Sequence, residues 1–359
     1  MTSSPGRGLL HLAVAIDQPD SHDPDVYVES ARLAERGGLD FVTLDDGFDR
    51  PGPDALGVLS RVAPVTGRIG LVPTVTTTHT EPFHVQAAVA TLDWVSRGRA
   101  GWRIEVSPSE GEARLFGRRH AAPADALWRE AGEVADVAAK LWDSWEDDAE
   151  IRDVSTGRFV DRDKLHYVDF AGASFSVKGP SIVPRPPQGH PVRVVDATEE
   201  HAREAAARYA DVALVRAVSA AHAAAVRDQL RASAIEFGRD PGGLRVLASL
   251  VVELGGGERT AEPGRGGGGP RQTAQGPFYR GGPVDLAELI AAWHKEGAVD
   301  GFHLTPTDPH RDLERLVNGT VALLQHRGLF RTFYPGSTLR EHLGLARPAN
   351  QYAVTGGAS

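Results

Sequence analysis

Four polar groups stand at the ends of apolar runs of strand length, the position where parallel α/β folds bind their ligands. Asp45 and Asp46 close the run 39–44, and Thr76, Thr77 and Thr78 close the run 69–75. Arg103 lies inside the run 100–106, and Thr198 follows the run 192–196. A carboxylate such as Asp46 accepts hydrogen bonds from a ligand N–H. An acid in such a loop otherwise caps the next helix, a role that suits Asp45 better. Hydroxyls at Thr76 or Thr77 both donate and accept, although threonine is also an ordinary strand-end residue. Arg103 is a permanent cation that can bind an anionic ligand or close an ion pair with Glu105 or Asp46. Thr198 opens a helix whose free N–H groups suit a phosphate, or serves as its ordinary N-cap. Glu199 and Glu200 in that first turn would repel a phosphate dianion by about 1 kcal/mol each if solvated.

Other polar residues read as structural. His79 titrates near neutral pH, as a proton donor should, but a histidine in such a loop reads first as a polar surface residue. His11, on the first apolar run, reads as a satisfied core histidine rather than a ligand contact. The 14 histidines show neither HxxxH nor HExxH spacing, so a metal site has no support. No residue stands out as a general base. The run GGGERTAEPGRGGGGP, 255–270, lacks the Gly-Lys-Ser/Thr ending of a phosphate loop and reads as a flexible active-site flap.

These groups need a scaffold that gathers strand ends. The stretch 69–103 supplies its unit: a strand, the three threonines, a turn closed by Pro82, and a helix with Val85, Ala88, Leu92 and Val95 on one face. Gly98 stops that helix and a second strand starts near Ala100. The same unit recurs, with strands expected at 9–16, 39–44, 69–75, 100–106, 192–196, 212–215, 244–252 and 299–304. Helices follow at 24–36, 54–63, 82–97, 124–145, 199–209, 220–237, 284–296 and 309–324. Eight such units without a Gly-rich dinucleotide fingerprint predict an α/β fold, a (β/α)8 TIM barrel, over a doubly wound sheet. The chain 1–359 reads as a single domain with an insertion at 146–190, a lid or edge excursion. A flexible loop at 255–282 and a tail at 327–359 without clear elements complete it.

Composition narrows the function. A net charge of −9 disfavours nucleic acid or an anionic membrane as partner, and the apolar runs are too short to span a bilayer. Cysteine is absent, which removes disulfides, thiolate nucleophiles and iron–sulfur ligation and points to a cytoplasmic protein. The abundance of Ala, Arg and Gly suggests a bacterial source.

The segments TVTTTHTEPFH, TLDWVSRGRAGW, LWDSW, FSVKGP, PRPPQGHPV, AARYADV, DGFHLTP and RGLFRTFYPGSTLREHLGL occur in order between residues 9 and 350. Together they resemble the bacterial luciferase-like flavin-dependent monooxygenases, in the group of nitrilotriacetate monooxygenase, dibenzothiophene-sulfone monooxygenase and pristinamycin synthase. The resemblance implies the same barrel and a two-component enzyme that takes reduced FMN from a separate reductase and oxygenates a small organic substrate with O2. A homodimer is expected on the same ground. Cofactor contacts carried over are Asp46, Thr76, Thr77, Arg103, Trp128 and Thr198; no catalytic residue is assigned. Three of these depart from the pattern. Arg103 stands where the family has Asn, and Ala124 and Trp128 stand for its His and Tyr. The turn Ala197-Thr198-Glu199-Glu200-His201-Ala202 stands for its Gly-Ser-Ser phosphate turn. These departures keep two alternatives open: a non-catalytic partner-subunit homologue with weakened flavin binding, and a deazaflavin-dependent oxidoreductase.

Overall fold

Eight parallel strands close on themselves in the computed structural model, which describes residues 8–19, 21–255, 257–260 and 269–353. They are β1 His11–Ala15, β2 Phe41–Leu44, β3 Gly70–Thr76, β4 Gly101–Glu105, β5 Val192–Asp196, β6 Val212–Val215, β7 Arg245–Leu254 and β8 Gly301–Pro306. Each pairs with its neighbours in sequence, and β8 returns to β1 with His11 opposite Gly301. This is the (β/α)8 barrel expected from the repeat of strand–helix units.

Helices α1 Pro24–Arg36, α2 Ala55–Val62, α3 Pro82–Ser96, α4 Glu110–Phe116, α5 Ala124–Asp143, α6 Glu200–Tyr209, α7 Ala220–Glu236 and α8 Pro283–Glu296 cover the sheet. A last rod joins Arg311–Arg315, a wider π turn at Leu316–Val321, and Ala322–His326. The helix starts are written in the sequence. Asp23 accepts from the Asp25 N–H ahead of Pro24, and Asp54 caps α2. Helix α4 was not expected. Its Ser109–Glu112 capping box makes a short helix from a segment with little apolar periodicity.

Two expectations are corrected and a third is narrowed. Of the two forms expected for the insertion, a lid or an edge excursion, it takes the second. It forms two small hairpins, Glu150–Asp153 with Arg158–Val160 and Phe170–Ala171 with Ser176–Val177. Its Val168, Phe170, Phe175 and Val177 pack on Val137 and Leu141 of α5, outside the barrel. The loop 255–282 is ordered in its second half. There Arg271–Thr273 pairs with Gly276–Gly281, which adds beside β7 and extends that strand to Leu254. Positions 256 and 261–268 of the expected flap lie outside the described residues.

The tail, expected to be featureless, seals the barrel floor. Leu339, Leu343 and Leu345 join Ala13, Phe41, Val72, Val194, Val212 and Leu247 in one buried cluster. Gly70 makes the room, since a Cβ there would lie 2.6 Å from Leu339, whereas one at Gly101 would meet Val72 at 2.8 Å. Around this plug, charged groups are paired tightly. Arg331 donates to Asp40 at 2.8 Å, and Arg340 to Asp211 at 3.1 Å. His11 reaches Asp40 at 3.1 Å, the satisfied structural histidine expected from the sequence.

Asp40 is fully buried, and burial pushes its carboxyl up. His11 and Arg331 outweigh that and hold it below the usual carboxylate range. Its contribution to stability is therefore present above pH ~4 and is lost as pH falls through the lower folded value. Replacing Arg331 with Ala leaves the carboxylate buried with one fewer partner, so Arg331→Ala should cost about 3–5 kcal/mol. Urea unfolding at neutral pH measures this; a change below ~1 kcal/mol would mean that the tail merely rests on the barrel.

Candidate functional site

The carboxyl ends of the strands open on a cavity of about 600 Å³, within the usual range for small-molecule sites. Strand alternation determines what faces it. On β4, Arg103 and Glu105 share the inner side with Ser107 just beyond the strand, and on β3 Thr74 and Thr76 share theirs. Asp45, Asp196, Arg216 and His303 complete the charged and polar wall, and Phe278 of the ordered hairpin forms an apolar one. The insertion contributes no lining residue.

Arg103 is the central group, with its side chain 12% exposed. Asp45 and Glu105 each approach to 3.6 Å, close enough for attraction and too far for a hydrogen bond. Its Nε has no partner. Burial opposes the charge, but Asp45, Glu105, Asp196 and Asp17 outweigh it and hold the guanidinium above its usual range. Burial also raises Glu105 despite Arg103, and raises Asp17, whose neighbour Asp45 adds to the shift. The remaining cations of the mouth are engaged: Arg50 binds Asp45 at 2.6 Å and Arg216 binds Asp196 at 2.9 Å.

Two buried hydroxyls lie at the end of β3 and just beyond β4. Thr76 Oγ1 and Ser107 Oγ are enclosed and without a hydrogen-bond partner. Thr77 differs, since its hydroxyl donates to the Glu105 carbonyl at 3.1 Å and its N–H to the same oxygen at 2.9 Å. Of the two threonines expected at a ligand, Thr76 has the free group. His303 forms the floor, with Nε2 2.8 Å from Thr43 Oγ1 and Nδ1 3.2 Å from Ser249 Oγ. Burial, then the Arg103 cation, pushes its pKa down to about 3, so it is neutral at ordinary pH.

The other expected contacts stand elsewhere. Asp46 accepts from the N–H groups of Gly47 and Ala55, both at 2.8 Å. It therefore helps cap α2, while Asp45 faces the cavity, the reverse of the roles read from sequence. Trp128 is 6% exposed in a core cluster with Trp102, Val106 and Leu127. It borders an outer crevice between α5 and α6 that shares no lining residue with the mouth. Thr198 is exposed, and its hydroxyl donates to Asp196. The N-cap of α6 is Glu199, which makes no side-chain capping bond. His79 is not a free surface residue: it stacks on Phe116 at 4.7 Å, and burial and Arg119 lower its pKa.

Sequence reasoning missed Asp17, Asp196, Arg216 and His303 as wall residues. A usable signal existed for one of them, since His303 and Thr305 alternate along β8.

The profile described as luciferase-like monooxygenase matches residues 8–280. Nitrilotriacetate monooxygenase component A of Aminobacter aminovorans is 33% identical, with 92% of each chain covered. Among solved structures, a long-chain alkane monooxygenase superposes with a TM-score of 0.85 at 23% identity, covering 97% of this chain and 99% of that one. A riboflavin lyase crystallised with modified FMN and its substrate riboflavin gives 0.83 at 22% identity, covering 94% and 96%. The two structures speak for the fold alone.

The neutral His303 has a measurable consequence. Its folded pKa of about 3 lies below the usual 6.5, so unfolding takes up a proton between those values and stability falls as pH drops through that window. From pH ~7.5 to ~5.5 this one group should remove about 1.4 kcal/mol, and His303→Asn should lose that part of the slope. Denaturant midpoints at the two pH values test it; an unchanged slope in the variant would mean that His303 titrates alike in the folded and unfolded protein.

Proposed function

Because this chain belongs to the luciferase-like monooxygenase family, we propose that it is the oxygenase of a two-component system fed with reduced FMN by a separate flavin reductase. Its substrate would be a small organic molecule, oxygenated with O2 in the barrel mouth. One observation carries the reading. A buried guanidinium with no hydrogen bond among the described residues, Arg103, lines a cavity of about 600 Å³, and the unpaired Thr76 hydroxyl lies on the adjacent strand opposite Glu105. Buried polar atoms are rarely left without partners, so these await a ligand with acceptors of its own.

The ring of a flavin fits that requirement, since its heterocyclic edge carries carbonyl oxygens and ring nitrogens. Arg103 and Thr76 would hold this edge, with Ser107 beside them. When bound, reduced flavin supplies the two electrons that let one oxygen atom of O2 enter the substrate while the other leaves as water. The protein binds, orients and keeps the site dry. Arg103 is charged at every working pH, so it offers a fixed positive potential to an electron-rich ring. Glu105, whose carboxyl burial raises although Arg103 opposes the shift, would keep its oxygen 3.6 Å from the guanidinium and help hold Arg103 in place. Phe278 shields one side of the cavity from water.

The relative named component A is part of a multi-component enzyme by its name, and the riboflavin lyase was crystallised with a modified FMN; both support the cofactor and partner proposed here. Residence in the cytosol and a homodimeric state go with the reading. No described helix is long and apolar enough to cross a membrane. The acidic turn after β5 favours one rival, a non-catalytic partner of the same barrel fold that has lost tight flavin binding.

Anaerobic titration with reduced and oxidised FMN separates the two readings. The proposal expects binding that prefers the reduced form, and 18O from O2 in the product once reductase and substrate are supplied. Absence of binding by either form would leave the non-catalytic reading. Arg103→Ala removes a charge-assisted hydrogen bond worth about 1.5–3 kcal/mol, so reduced-FMN affinity should drop by ~10-fold or more. An unchanged affinity would remove Arg103 from the site.

A further inference from the structure

Hydrogen-bonding capacity at the carboxyl face is distributed unevenly. On the β3–β4 side, Thr76 Oγ1, His79 Nε2, Arg103 Nε and Ser107 Oγ are buried and unpartnered. On the β5 side the opposite holds. Asp196 takes the Thr198 hydroxyl and the Thr198 N–H, and Arg216 is bound to Asp196 at 2.9 Å. Arg203, the cation of the first turn of α6, donates to the carbonyls of Ala197 and Thr198 at 3.0 Å each. Glu199 and Glu200 then stand exposed at the helix start and form no ion pair among the described residues.

The neighbouring helix starts offer an anion little more. Those of α1 and α2 are occupied by Asp23, Asp46 and Asp54, and that of α8 by Asp285. Glu81 precedes α3, and Asp125 sits in the first turn of α5. Among the described helices of eight or more residues, only α7 begins without a carboxylate at its cap or first turn. The cation nearest to it in sequence, Arg216, is the one held by Asp196.

We propose that this protein recognises its flavin through the ring alone and draws no net affinity from the phosphate, so that reduced riboflavin binds as well as reduced FMN. The inference rests on the flavin reading above and goes beyond it by assigning Asp196, Glu199 and Glu200 as the residues that set this selectivity. A phosphate emerging on the β5 side meets the exposed Glu199 and Glu200, while Asp196 already holds Arg216, so repulsion offsets whatever a helix terminus contributes.

The test is calorimetric titration of the intact protein, under anaerobic conditions, with reduced FMN and with reduced riboflavin. The expected result is a pair of affinities within about threefold of each other, with FMN losing ground to riboflavin as ionic strength falls and repulsion is less screened. In the double variant Glu199→Gln/Glu200→Gln, FMN should tighten by ~3-fold or more while riboflavin stays unchanged. FMN binding more than ~10-fold tighter than riboflavin in the wild type would overturn the inference and leave the monooxygenase reading intact. A double variant that treats both flavins as the wild type does would overturn the role given to the two glutamates. Binding of neither flavin would sink the flavin reading itself.

Discussion

Closure of the eight-stranded sheet dictates what every second strand residue must do. Once β8 pairs with β1, inward side chains have no solvent face to turn to. They must either fill the interior or find partners within it. The floor solves this with aliphatic side chains, with Gly70, which admits Leu339, and with ion pairs at hydrogen-bond distance. The mouth solves it differently. Arg103 points inward on β4 as Gly101 does two residues earlier, but its Nε has no hydrogen-bond partner among the described residues.

That contrast separates stability from function within one barrel. Arg331–Asp40 and Arg340–Asp211 close at 2.8 and 3.1 Å, and their carboxylates are held below the ordinary range. Such pairs are expensive to break, since either partner alone would be a buried charge. At the mouth Arg103 floats between two acids at 3.6 Å, while burial raises Asp17 and Glu105 and drives His303 to its neutral form. The ligand end of the barrel is thus held in an electrostatically unfinished state by the rigidity of the floor beneath it. Sites that tolerate unpaired polar groups usually do so because a ligand completes them.

How much of this could be read beforehand depended on the range of the interaction. Strand and helix repeats are local periodicities, so the count of eight units and the closed barrel were legible. Inward placement of Arg103 and Thr76 followed from their strand positions. Choosing between Asp45 and Asp46 was not possible in the same way. A single residue of register turns a side chain to the opposite face, and the bend that leads Asp46 to the Ala55 N–H is a tertiary detail. Trp128 looked like a ring partner by resemblance, yet its helix buries it against Trp102 and Leu127. The tail and the hairpin after β7 gain their order only from the surface they meet, Leu339 from the distant Gly70 and Gly276–Gly281 from the free upper edge of β7. Neither partner is visible from the local sequence.

The acids at the helix starts tie the two halves of the problem together. A carboxylate cap stabilises its helix by roughly 0.5–2 kcal/mol because it accepts the N–H groups that no helical carbonyl can reach. Those are the same N–H groups that would otherwise bind a phosphate. A barrel whose helices cap themselves therefore gains stability at the face where it gives up anion affinity. In this chain Asp23, Asp46, Asp54 and Asp285 make that exchange through side-chain bonds. Glu199 carries the charge at its helix without making the bond, so α6 bears the repulsion toward an anion with little capping in return. The Glu199 charge still favours the helix through the macrodipole, by about 0.3–1 kcal/mol, and the same charge opposes an anion there. Selectivity at the neighbouring mouth, where Asp196 already holds Arg216, gives that charge a physical role.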